Sequence, residues 1–479
     1  MPARTGRQFL EGLRDWRALW VGGERVGSPV DHPLLAGAAR TLAEIFDLQH
    51  AAAEDCLMAD PETGETISVS HIIPRSRADL ERRHRCLERI CEYSVGLMGR
   101  TPDYMNVTFA GFAGRADEWA ENGNERGADN LLRYQTRLAR EDLSLTHTIV
   151  HTTTNVAKGR TPEGLDPVQL HKVADTEYGI IVRGSRILAT LAPFADELAV
   201  YPGAPMADAD PAHALSFCVP MQTPGLKFIC RDSVSTPRSL FDHPLSSRFD
   251  EQDAFVIFDD VEVPRERLFI DGNLPVYNTV MKTTWWPNIM QQTMIRAQTK
   301  LEFAWGLASR MAAAIGNNLA PTQQMLGEIS MFAELARAAV YAAEQGAHEY
   351  GNGMWACDIR PLVALRAALP GWFPRVNEII RLIGSHNLLT TPSRAALNDP
   401  ELRPLIETYL GGRDTSAEQR DRIFRLGWDF AGSALGSRNE QYERFYLSSA
   451  ARNLGYAHTV MDRARADRLV DRFLTEEID

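Results

Sequence analysis

The feature that most narrows the fold is a change of apolar period along the chain, from helical spacing to short strand-like runs and back to helical spacing. From about residue 8 to 140 the apolar residues repeat at three and four. Leu80, Leu87, Ile90, Cys91, Val95 and Met98 place one apolar stripe on a helix. That helix is expected to run to Gly99-Arg-Thr-Pro102, since a proline disfavours helix in the residue before it. From about 141 to 275, runs of four to six apolar residues alternate with Gly, Pro and Asp: Gly179–Val182, Arg186–Ala189, Leu198–Tyr201, Leu215–Val219, Leu226–Cys230 and Ala254–Phe258. They predict a small antiparallel β-domain, with Arg183-Gly184-Ser185 as a hairpin turn between two strands. From about 285 onward Met294, Ala297, Leu301, Ala304, Leu307, Ala308 and Met311 mark one long helical stripe. The expected division is an N-terminal helical domain (1–140), a central β-domain (141–275) and a C-terminal helical bundle (276–479) of the kind that carries an oligomer interface.

Several function classes fall away on composition and motif. With 51 Lys and Arg against 63 Asp and Glu, a net charge of −12, the chain does not favour a nucleic acid or an anionic membrane as partner, because both need clustered cations. No apolar run is long enough to cross a bilayer and Met1 leads into polar sequence, so a cytoplasmic location is expected. The six cysteines form no CxxC pair and read as buried thiols. No GxGxxG follows a strand and no GxxxxGK[ST] occurs; Gly22-Gly23 lacks the context of a phosphate cradle. His147 and His151 are four apart, but the β-branched residues between them favour extended structure over a helical metal pair, and no metal is expected.

Seven segments are informative taken in order: Gly99-Arg-Thr-Pro-Asp-Tyr104, Leu145-Thr-His-Thr-Ile-Val150, Ala189-Thr-Leu-Ala-Pro-Phe-Ala-Asp-Glu197, Asp242-His-Pro-Leu-Ser-Ser-Arg-Phe-Asp-Glu251, Phe258-Asp-Asp-Val-Glu-Val-Pro264, Gly384-Ser-His-Asn-Leu-Leu389, and the stretch from Gly432 to Phe445. Together they resemble the oxygenase components of the 4-hydroxyphenylacetate 3-monooxygenase family, which includes chlorophenol and nitrophenol monooxygenases. The match runs from about residue 8 to 446. The resemblance implies an α+β, acyl-CoA-dehydrogenase-like fold and a homotetramer. It further implies ortho-hydroxylation of a phenol through an FAD C4a-hydroperoxide, with molecular oxygen and with reduced FAD delivered by a separate NAD(P)H:flavin reductase. The alternative on the same scaffold is an acyl-CoA dehydrogenase or dehydratase. Related 4-hydroxybutyryl-CoA dehydratases hold an iron–sulfur cluster through cysteines where this chain has Gly99–Asp103, and neither that stretch nor Trp285–Gln298 offers a thiolate.

Residue by residue, the resemblance places Arg100, Tyr104 and His147 at the substrate: His147 as the base for the phenol proton, Arg100 as the cation that stabilises phenolate, Tyr104 as a hydrogen-bond donor. Read alone, the three fit equally a helix-end charge, a turn aromatic and a core histidine. Thr190 is placed at the edge of the flavin ring and the loop Thr153, Thr154, Asn155 and Val156 beside it. Relatives carry Pro-Gln and an Arg in that loop, where this chain has Thr152-Thr153 and Val156. His386 and Asn387, with Ser437, Arg438 and Asn439, are placed on the FAD pyrophosphate or adenine, with helix capping and subunit packing as the alternative. In 4-hydroxyphenylacetate enzymes a hydroxyl-bearing loop holds the substrate carboxylate; here it carries Gly203 and Ala204 and no Ser or Thr, which leaves room for a neutral or larger phenol. The charged run Asp242–Glu251 is expected to build a structural network around a turn.

Overall fold

A computed structural model describes residues 3–61, 63–153, 164–206, 209–235, 239–412 and 415–474. Helices dominate both ends and a two-sheet β-unit lies between them. One sheet runs in the order Glu24–Arg25, Ala18–Val21, Leu226–Cys230, Asp253–Pro264, Gly179–Thr190, Val150–His151, with His171–Asp175 also pairing to Gly179–Thr190. The other runs Leu268–Asp271, Leu215–Pro220, Glu197–Val200, Leu145–Thr148. Their inner faces meet where Phe217 and Phe258 pack edge to face at 6.1 Å, both fully buried.

Four features depart from the sequence expectation. Arg183-Gly184-Ser185 is not a hairpin turn, because Gly179–Thr190 is one continuous strand. Gly184 has φ +116°, and a Cβ there would lie 2.4 Å from the Gln169 carbonyl oxygen. The strand therefore stays extended while its partner bulges at Asp259-Asp260, with Phe258 opposite Gly184 and Val261 opposite Val182. Secondly, the Arg77–Tyr93 helix ends before Gly99. Val95 and Gly96 turn left-handed, and a Cβ on Gly96 would sit 2.5 Å from the Arg296 carbonyl oxygen, so the chain must leave the helix where it meets the long Trp286–Ala314 helix. Thirdly, the N-terminal region is not wholly helical: Ala18–Val21 joins the central sheet, and Gly22-Gly23, both at positive φ, form the turn to Glu24–Arg25. Finally, the β-unit is not purely antiparallel, since Ala18–Val21 and Leu145–Thr148 pair parallel with Leu226–Cys230 and Glu197–Val200, both after connections long enough to allow it.

The stripe Met294 to Met311 is buried throughout the Trp286–Ala314 helix, against Ala320–Gln345 and Ile359–Gly384. Among the described residues no helix is long and apolar enough to cross a membrane.

Candidate active site

The site is assembled where the buried Pro102–Gly114 helix meets the strand Leu145–Thr148. Pro102 opens that helix at a position where its missing N–H is not needed, and every residue of the helix is buried, so it runs through the interior. Its first turn presents Tyr104. The Arg100 guanidinium lies over the Tyr104 ring at 3.9 Å, and the His147 ring stacks with Tyr104 at 5.4 Å with planes 20° apart. Tyr201 closes the column against His147 at 5.0 Å and 13°. The structure therefore brings together the three residues singled out from the sequence and adds a fourth. Tyr201 ends one of the predicted strand runs, but nothing in the sequence distinguishes it from a core aromatic.

Electrostatically the column is a buried cation beside neutral, unpaired hydrogen-bonding groups. Arg100 Nη1 donates to the Gly99 carbonyl at 3.1 Å and to Tyr442 Oη at 2.6 Å; no carboxylate contacts its guanidinium among the described residues. Burial pulls its pKa down, but the Tyr104, Tyr442 and Glu251 groups outweigh it and the net direction is upward. Burial, reinforced by Arg100, pushes the His147 pKa well below its ordinary value, so the imidazole is neutral. Burial raises both tyrosines, Tyr104 despite Arg100, which keeps them protonated. The hydroxyls of Tyr104 and Tyr201 are buried and act on each other electrostatically, but neither makes a well-formed hydrogen bond to a described residue. Such groups are rare in native proteins and mark a place where a ligand or water completes the bonding.

A charged network links this column to the larger sheet through Asp253 and Thr190. Glu251 accepts the Arg100 backbone N–H and pairs through its other oxygen with Arg438 at 2.8 Å. Arg438 also holds Asp253 with Nη2 at 2.8 Å and Nε at 3.1 Å. Asp253 in turn accepts the Thr190 hydroxyl at 2.8 Å, while the Thr190 carbonyl accepts the Thr146 hydroxyl. Burial raises the Asp253 carboxyl, but Arg438 and Arg231 hold it down at about 2. Tyr442 is a second residue that sequence reasoning passed over, although it lies inside the Gly432–Phe445 segment. Gly99 has to be glycine for it: a Cβ would lie 2.0 Å from the Tyr442 hydroxyl oxygen. The run Asp242–Glu251 is tied into such contacts along its length, Asp242 to the Arg394 backbone and Asp250 to the turn at Val234.

The remaining expected residues are scattered. Thr153 carries a buried hydroxyl with no partner; Thr154, Asn155 and Val156 lie outside the described residues. Asn439 is buried with a free side-chain N–H group, and Ser437 is exposed. His386 is exposed and Asn387 accepts from Arg420 at 2.6 Å. Among the described residues no hydrogen bond, ion pair or ring contact joins His386, Asn387 or Ser437 to the Arg100 column. Gly203 donates its backbone N–H to Tyr277 Oη at 3.0 Å and Ala204 is exposed. His151, far from forming a metal pair with His147, contacts Tyr277 Oη at 3.2 Å.

Residues 5–270 match the sequence profile described as 4-hydroxyphenylacetate 3-hydroxylase N terminal, and residues 276–475 match its C-terminal counterpart. The chain is 36% identical over 481 residues to the 4-hydroxyphenylacetate 3-monooxygenase oxygenase component of Thermus thermophilus, covering 99% of this chain and 98% of that one. It is 31% identical to the 4-nitrophenol 4-monooxygenase/4-nitrocatechol 2-monooxygenase oxygenase component of Rhodococcus opacus, over 92% and 85% of the two chains. A solved oxygenase component of 4-hydroxyphenylacetate 3-monooxygenase, complexed with FAD and 4-hydroxyphenylacetate, superposes with a TM-score of 0.93 at 35% identity and 98% coverage of each chain.

Proposed function

The chain belongs to the 4-hydroxyphenylacetate 3-hydroxylase family, and from that premise we propose that it is an FAD-dependent oxygenase component that hydroxylates a phenol next to its hydroxyl group. Reduced FAD comes from a separate NAD(P)H:flavin reductase, the second substrate is molecular oxygen, and the working form is a homotetramer. The exposed apolar side chains Leu469, Val470, Phe473 and Leu474 of the last helix support that assembly.

The observation that carries the reading is the column Arg100, Tyr104, His147 and Tyr201, with a buried guanidinium that contacts no carboxylate and two phenolic hydroxyls without a well-formed hydrogen bond among the described residues. Making phenolate at pH 7 from a group with a pKa of about 10 costs ~4 kcal/mol. Arg100 offsets that cost by charge. His147 is neutral, so a ring nitrogen offers a lone pair to the phenol O–H as a hydrogen-bond acceptor, while burial and Arg100 disfavour its charged form. Tyr104 and Tyr201 hold their own protons and donate to the phenol oxygen.

The residues present fit a reduced flavin. Thr190 gives its only hydroxyl proton to Asp253, so toward a bound ring its oxygen acts as an acceptor, suited to the ring N–H groups of a dihydroflavin. Thr153 and Asn439 contribute buried polar atoms that still lack partners. The flavin, when bound, activates oxygen for transfer of one atom to the ring. The protein's part is to orient the phenol, raise its electron density and keep water out.

Turnover of a small phenol panel with a generic flavin reductase, FAD and NADH tests the assignment. His147→Ala is expected to lower hydroxylation about 100-fold and to divert oxygen to hydrogen peroxide, with FAD affinity retained. Unchanged product and peroxide yields in that variant would refute the role of His147; a wild-type chain that hydroxylates no phenol would refute the function.

A further inference from the structure

A second polar cluster lies behind the Gly203 turn, and the column just described does not use it. Arg186 is fully buried, on the strand Gly179–Thr190. Its Nη1 donates to the Ile149 carbonyl at 2.8 Å, but Nε and Nη2 have no partner, and no carboxylate pairs with it among the described residues. Its register partner is His151, itself buried with Nδ1 unpartnered.

The His151 tautomer is assigned from its surroundings. Tyr277 Oη accepts the Gly203 backbone N–H at 3.0 Å and lies 3.2 Å from His151 Nε2, and with its proton turned to that nitrogen Nε2 is the acceptor. Burial, aided by Arg186 and His213, keeps this imidazole neutral, which leaves its proton on Nδ1. His213, the nearest other titratable ring, is already occupied at both nitrogens, by the Leu170 carbonyl and the Asp166 backbone N–H. The free edge therefore presents donors from Arg186 and His151 and offers no acceptor between them. A buried guanidinium edge of that kind matches a carboxylate through two parallel hydrogen bonds.

Position ties the cluster to the substrate. Ile149 lies two residues beyond His147, and Gly203 two residues beyond Tyr201. The offset along extended backbone is about 7 Å, the scale of an aromatic ring with a short arm. We infer that Arg186 and His151 form an anion subsite that receives a carboxylate on the arm of the phenol, in place of the hydroxyl-bearing loop replaced here by Gly203 and Ala204. This rests on the phenol-hydroxylase reading.

Calorimetric binding of 4-hydroxyphenylacetate and its neutral amide to the full-length, FAD-loaded protein tests it without turnover. Wild type should bind the acid at least about 10-fold tighter than the amide, and Arg186→Gln should abolish that preference while leaving amide affinity within about 2-fold. Arg186→Lys should restore part of it. A wild-type protein that binds acid and amide equally overturns the inference whether or not the variants fold. Equal weakening of both ligands together with loss of FAD affinity would mean that the cation serves the flavin. Unchanged acid binding in Arg186→Gln would mean that water alone fills the cluster. If wild type binds neither ligand, the subsite inference fails and turnover of the phenol panel decides the hydroxylase reading separately; if it binds the amide well and the acid poorly, only the subsite has failed.

Discussion

Replacing Arg100 by methionine isolates the charge that the active-site column depends on. Methionine keeps an unbranched side chain against the Tyr104 face but carries no cation. Arg100 is buried and among the described residues contacts no carboxylate through its guanidinium; Glu251, the nearby carboxylate, is paired to Arg438, so solvent screening of the Arg100 field is small. For opposite charges about 4 Å apart at an effective dielectric constant of about 20, the attraction is ~4 kcal/mol. That matches the ~4 kcal/mol needed to ionise a phenol at neutral pH, so Arg100 by itself brings the bound phenol to the edge of ionisation. Arg100→Met should raise the pKa of the bound phenol by about 3 units. The shift is readable in the ultraviolet difference spectrum of phenolate across a pH titration of the complex. Hydroxylation should follow: nearly flat between pH 7 and 9 in wild type, and rising about tenfold per pH unit in the variant. A bound-phenol pKa within about half a unit of wild type would refute the argument, because the stacked guanidinium would then have no electrostatic part in the chemistry.

Arg438→Met should cost ~3–5 kcal/mol in urea denaturation followed by near-ultraviolet circular dichroism, because it leaves the buried Glu251 and the part-buried Asp253 carboxylates without their shared cation. Asp253 stabilises the fold above its unfolded pKa and ceases to as pH falls through about 2, so acid unfolding of the variant should move to higher pH. Burial raises the Asp103 carboxyl from 3.8 to about 6, against opposing bonds from Thr101 and Gln292. The native state therefore loses stability as pH rises from about 4 to 6, and Asp103→Asn should denature later than wild type at pH 8 and at the same point near pH 4.

Much of this molecule was legible before folding because local period and motif order report on local causes. The Met294–Met311 stripe needed only helical spacing, and the strand runs needed only their length and the turn residues around them. The turn at Arg183–Ser185 was misread for a reason that lies outside the segment. Gly184 is there to let the Gln169 backbone approach, and the extra residue is taken up by the facing strand at Asp259-Asp260. Likewise the Arg77–Tyr93 helix stops where the Trp286–Ala314 helix crosses it, two hundred residues away in the chain.

By itself the sequence determined most of the stretches that are helix or strand, the family, and the three residues Arg100, Tyr104 and His147 that the fold brings together, since these follow from side-chain spacing and from an ordered set of segments. Only the tertiary structure decided that Tyr201 closes the column on His147, that Tyr442 carries Arg100, and that Glu251, Arg438 and Asp253 link Arg100 to Thr190. It alone left Arg186 buried with no carboxylate paired to it among the described residues. Those are facts about which distant groups meet out of water, and the energy of a charge or a hydroxyl depends on that meeting far more than on its neighbours in the chain.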